Sequence, residues 1–139
     1  MITDSFDNSR PIINPQNVVE KQIVEKYAFF PDVIILTFSE KLIDMLIESG
    51  EIEILGENLA LGDEDKHPIF KITGTNTGIF HIGMGALMAA GAIEQLHALF
   101  GCKRFIIFGS CGTLIDIDEG KHIVPTQAYR DEGVSYHYA

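Results

Sequence analysis

Two short stretches of the chain are almost wholly apolar: Val33–Phe38 (VIILTF) and Arg104–Phe108 (RFIIF). Neither alternates polar with apolar positions, and both are rich in β-branched or aromatic residues. A strand with one wet face alternates, whereas a continuous apolar run suits a strand covered on both faces, as in parallel sheets. Both are therefore predicted as strands buried on two sides. Between them the period changes. Leu42, Ile43, Leu46 and Ile47 recur at helical spacing, with Ser39 placed to cap the helix and Gly50 to close it. Met84–Phe100 is dominated by Ala, Leu, Met, Ile, Glu and Gln, and is predicted as the longest helix. It is apolar on nearly all sides, which predicts deep burial. Ile52–Leu55 reads as a short strand. Ile69–Ile72 and Gly78–Ile82 read as a hairpin or two consecutive strands. Gly62–Lys66 is a solvated turn, and Lys121–Pro125 and Gln127–Tyr129 are further strand material.

Strands alternating with helices, the strands being apolar throughout, predict an α/β fold with a mixed central sheet flanked by helices. Residues 1–31 are more polar and carry prolines at 11, 15 and 31. They read as an N-terminal arm with one short helix from Pro15 to Tyr27, capped by Asn14. Residues 32–139 form the α/β domain.

Composition narrows the function. The chain has 139 residues, 46% of them hydrophobic, enough for the core of one domain. Ten Lys and Arg stand against twenty Asp and Glu, a net charge of −10. That field repels a polyanion, so no nucleic-acid partner is expected. The apolar stretches are interrupted before about 18 residues, so no membrane span is expected. The start of the chain lacks a basic region followed by an apolar run, so no secretory signal is expected. Two cysteines, Cys102 and Cys111, make no disulfide framework, and the five histidines show no metal-ligand spacing. A reducing cytoplasmic location fits.

Candidate chemistry gathers at small-residue turns. Gly109-Ser110-Cys111-Gly112 follows directly on a predicted buried strand. Ligands of α/β sheets sit at the carboxyl ends of strands. Glycines there let backbone N–H groups approach an oxyanion, and Ser110 adds a hydroxyl donor. The same residues also suit a tight turn without a ligand. Gly83-Met84-Gly85 joins a strand to the long helix. Met88 occupies the third position of the dinucleotide fingerprint, so a close strand-to-helix turn is the simpler reading. The N-terminus of a helix at that point would still attract an anion. Cys111 reads as a small buried hydrophobe rather than a thiolate nucleophile. Glu94 within the apolar helix calls for a partner, and His97 reads as a packing residue. Asp116–Gly120 fails the calcium-loop pattern because Gly120 takes a ligand position.

Several of these pieces, taken in order, resemble a known family. They are Thr77–Gly85 (TGIFHIGMG), the Ala-rich helix carrying Glu94, RFIIFGSCGTL, Gly120–Thr126 (GKHIVPT) and Arg130–Tyr138. Together they resemble the nucleoside phosphorylase superfamily, nearest its uridine phosphorylase-like branch, over residues 33–139. The resemblance implies a mixed α/β fold around a distorted sheet barrel. It implies phosphorolysis, in which nucleoside and phosphate give free base and pentose 1-phosphate. No metal or organic cofactor is implied, inorganic phosphate being the co-substrate. By resemblance Ser110 bonds phosphate, and Gly109, Cys111 and Gly112 line the nucleoside pocket. Gly83 and Gly85 match the family's glycine turn. Where the family carries Gly-Asp-x-x-Arg after the first strand, this chain has Thr37-Phe38-Ser39-Glu40-Lys41, so Lys41 stands in as a point charge without the arginine fork. Where an arginine precedes the glycine-serine turn, this chain has Ile107. The family's sugar-binding Met-Glu segment and base-reading residues belong to a further half. The chain alone is therefore expected to be incomplete or weakly active, and to pair with itself, at least as a dimer, or with a complementing chain. The alternative is a non-catalytic nucleoside- or anion-binding or oligomerisation module on the same scaffold.

Overall fold

A computed structural model describes residues 31, 33–59, 67–129 and 131–134. The expected helix over 15–27, the turn at 62–66 and much of the motif over 130–138 lie outside the described residues. Five strands form one sheet: β1 (Val33–Thr37), β2 (Ile52–Leu59), β3 (His67–Ile72), β4 (Thr77–His81) and β5 (Arg104–Phe108). Their order across the sheet is β2-β3-β4-β1-β5. β1 runs parallel to both β4 and β5, while β3 is antiparallel to β2 and β4. The sheet is thus mixed, as the apolar runs predict.

Two helices interrupt the strands: α1 (Glu40–Glu48) after β1 and α2 (Ala86–Phe100) after β4. They cover opposite faces. Ile43 of α1 packs with Ile52, Phe70 and Ile79. Ala92, Leu96 and Leu99 of α2 pack with Ile34, Leu36, Ile69 and Phe80. Neighbouring residues of β1 therefore enter different cores, which explains why its run does not alternate. Ile34, Leu36 and Thr37 are wholly buried. Each fully buried Ile or Leu contributes roughly 1.5–3 kcal/mol of transfer free energy before entropy is subtracted.

The helix ends follow local chemistry. Ser39 Oγ accepts a hydrogen bond from the Leu42 N–H at 3.2 Å and caps α1. Gly50, at φ 71°, lets the chain turn left-handed after the Ser49 cap. Gly101, at φ 66°, ends α2, and its N–H donates to the His97 carbonyl. His97 Nδ1 lies 2.7 Å from the Cys102 carbonyl oxygen, so it secures the chain beyond the helix. No helix among the described residues is long and apolar enough to cross a membrane.

Four expectations are corrected. β5 is not covered on both faces: Ile106, Ile107 and Phe108 are 51%, 54% and 46% exposed. Its composition matches that of β1, but it ends the sheet order, whereas β1 lies between two neighbours. Helix α2 is not deeply buried throughout. Leu87 and Met88 in its first turn are exposed, and burial begins at Ala92, where the helix packs on the sheet. Glu94 is exposed and thus meets water rather than needing a buried partner. Lys121–Pro125 and Gln127–Tyr129 form no strand.

Candidate functional site

The sheet order decides where a ligand can sit. In an open α/β sheet, ligands bind outside the carboxyl ends of the strands, where adjacent strands send their connections to opposite faces. β1 and β4 are adjacent and parallel, and α1 and α2 follow them on opposite faces. Phe38-Ser39 follow the end of β1, and Ile82-Gly83-Met84-Gly85 follow the end of β4. The two ends are tied together: the Ile82 N–H donates to the Thr37 carbonyl at 2.9 Å, one step past the last pair of the ladder. Thr37 is wholly buried, and its Oγ1 accepts from the Ser39 N–H at 3.2 Å, which sets the turn into α1.

The two helix N-termini that face this edge differ. That of α1 is filled, with Ser39 capping it and Glu40 in its first turn. That of α2 begins at Gly85, with no side-chain cap and no acidic residue in its first turn. The first N–H groups of a helix have no partner within it and carry the positive end of its dipole. An anion at Gly85–Met88 would meet both. The glycines make the approach possible in different ways. Gly85 has φ 115° and ψ 155°, a region essentially closed to residues with a Cβ. At Gly83 a Cβ would lie 3.3 Å from the end of the Met88 side chain, which is flexible and about half exposed and can give way. At Gly109, past the end of β5, a Cβ would lie 3.3 Å from the Phe38 ring.

Gly83 and Gly85 follow the carboxyl end of β4 and Gly109 that of β5, the two strands that flank β1, and Lys41 is the second residue of α1, exposed to solvent. All four lie in one compact unit, Ser9–Gly109. Ser110, Cys111 and Gly112 open a second unit. They are exposed and in no regular element. Cys111 is a correction: it is an exposed thiol, and the buried small-hydrophobe role falls to Cys102. Cys102 follows the turn at Gly101 and packs in the α2 core, whereas Cys111 lies beyond the sheet. No group of three or more His, Cys, Asp or Glu residues able to hold a metal ion occurs among the described residues.

From local pattern alone Phe38 ends a strand and Ser39 is a cap, and only the family resemblance sets them in a functional stretch. The signal that places them is the pairing of β1 with β4, which no local pattern carries.

An α/β sheet whose two helices leave adjacent parallel strands for opposite faces, with a glycine turn after one strand, defines a small-ligand-binding class of fold rather than one reaction. The family comes from comparison. A family model described as the Phosphorylase superfamily matches residues 32–139, and the chain belongs to that superfamily. No curated protein and no solved structure matches the chain.

Proposed function

We propose that the chain serves nucleoside phosphorolysis: phosphate attacks the sugar carbon, the glycosidic bond breaks, and the base leaves with the bond's electron pair. The products are free base and pentose 1-phosphate. Membership of the Phosphorylase superfamily over residues 32–139 carries this reading. The uncapped N-terminus of α2 beside β1 supports it, because phosphate is an anion that needs N–H donors. In this reading Gly83 and Gly85 open the way to those donors. Lys41 supplies a positive charge, and the Ser110 hydroxyl gives a further hydrogen bond to phosphate. Gly109, Cys111 and Gly112 line the nucleoside side. Phosphorolysis develops positive charge on the sugar and negative charge on the base. Holding a phosphate dianion against the sugar therefore both delivers the nucleophile and stabilises the transition state.

Weak activity by the chain alone is part of the proposal. Lys41 offers one ammonium where a guanidinium would offer a planar fork, and Ile107 offers no charge. Each missing charge-assisted hydrogen bond removes roughly 1.5–3 kcal/mol. Those two positions favour the second reading, a nucleoside- or anion-binding module without turnover, completed by another copy or a second chain.

The test is phosphate-dependent release of base from uridine, thymidine, inosine and adenosine by the folded chain. Release that requires phosphate and falls at least tenfold in Ser110→Ala is expected. Nucleoside binding without release would support the second reading. Neither binding nor release would contradict both.

A further inference from the structure

One aromatic ring lies beside the backbone just past β5. Thr37 and Phe108 form the last registered pair of β1 and β5, so Phe38 and Gly109 are the next residue along each strand. A Cβ on Gly109 would stand 3.3 Å from Cδ2 of the Phe38 ring and 3.9 Å from Cε2. The first distance is shorter than the best separation of two carbon atoms, so the ring edge uses space that only a glycine leaves open. Among the described residues, chain neighbours aside, this ring supplies the only heavy atoms within 4 Å of that Cβ. Phe38 serves neither core. Ile34 and Leu36 enter one and Ile35 packs on the other, but Phe38 belongs to neither and is 36% exposed.

The backbone that carries the ring is held on both sides. Before it, the Thr37 carbonyl accepts from the Ile82 N–H at 2.9 Å. After it, the Ser39 N–H donates to Oγ1 of the wholly buried Thr37 at 3.2 Å, and Ser39 Oγ caps α1. With the backbone fixed, the ring is left only its rotamers. Gly109 is the opposite case. It lies beyond the β1–β5 ladder, and glycine has the most backbone freedom to lose. Its place depends on what packs against it. We infer that Phe38 is a positioning residue: its ring seats Gly109 and so sets the direction in which the chain leaves β5 into Gly109–Gly112. The inference rests on the proposed function for what that stretch binds, a nucleoside, while the seat itself is read from β1 and β5. Phe38 acts through Gly109 and not on the reacting atoms. A side chain outside both cores can be changed with little effect on stability, yet one that seats a binding segment changes affinity when it is lost.

The test starts from the wild-type chain. Nuclear Overhauser effects between the Phe38 ring protons and the Gly109 α-protons are expected, and their absence in the folded protein overturns the inference. Binding of uridine, thymidine, inosine and adenosine is then measured for the wild type, Phe38→Ala and Phe38→Tyr. Phe38→Ala is expected to raise the dissociation constant of the nucleoside that binds by about tenfold. It should also move the Gly109 amide resonance. Phe38→Tyr keeps the ring and is expected to bind as the wild type does. Urea unfolding of each variant separates lost folding from lost positioning. Should Phe38→Ala not fold, Phe38→Leu takes its place with the same expectation, since it keeps apolar bulk without the ring. Wild-type affinity in Phe38→Ala overturns the inference and leaves the proposed function standing. An equal loss in Phe38→Tyr also overturns it, because the ring would then not be what matters. A folded wild type that binds none of the four nucleosides overturns the proposed function and the inference together.

Discussion

The helices α1 and α2 begin at the same edge of the sheet, yet their first turns are built for opposite tasks. α1 closes on itself: Ser39 caps the Leu42 N–H, and Glu40 answers the dipole. α2 starts from Gly85 with neither device. A cap satisfies donors and stabilises the helix, typically by about 1 kcal/mol. A helix that forgoes one leaves its donors available to solvent or ligand. In the proposed reading α2 is therefore the terminus that receives the anion, and α1 has the structural task of holding the β1 end beside it.

Two substitutions sharpen this contrast. The larger effect is expected from Gly85→Ala. The backbone there lies in a region nearly exclusive to glycine, so alanine should cost about 1–3 kcal/mol. Urea unfolding would show this as a lower midpoint with an unchanged slope. A neutral result would mean that the turn readily adopts another conformation. Ser39→Ala comes second, with an expected loss of about 1 kcal/mol from the missing cap. Its phosphate affinity should stay close to wild type, since the hydroxyl is engaged within α1. A loss of phosphate binding without a loss of stability would reverse the roles given to the two helices.

How much of this was legible in the sequence depends on how local the cause is. The boundaries of α1 were, because Ser39 and Gly50 act within a turn of where they stand. The long helix was legible too, but it begins at Ala86 rather than Met84. Met and Ala favour a helix, while the conformation of Gly85 forbids it one residue earlier. β1 and β5 look alike as strings and differ in burial, because burial depends on neighbours. β1 has β4 and β5 beside it, whereas β5 has β1 alone among the described residues. The glycine turns at 83–85 and 109–112 stood out as short-range patterns. That the end of β1 lies beside the first of these turns did not, because β2 and β3 intervene in sequence between strands that meet in the sheet. The superfamily was legible only through an ordered set of motifs, and the family model that matches residues 32–139 bears that out.

The most direct test is a titration of the isotopically labelled chain with inorganic phosphate, followed by amide resonances. Ala86→Asp is the comparison, since it puts a carboxylate in the first turn of α2, where α1 already has one. In the wild type, saturable shifts are expected at Gly85–Met88, with little change at Glu40–Leu42. In Ala86→Asp the helix should be slightly more stable and the shifts at 85–88 should vanish. Shifts centred on Glu40–Leu42 instead, or none at Gly85–Met88 in a folded chain, would contradict the assignment of the phosphate to α2.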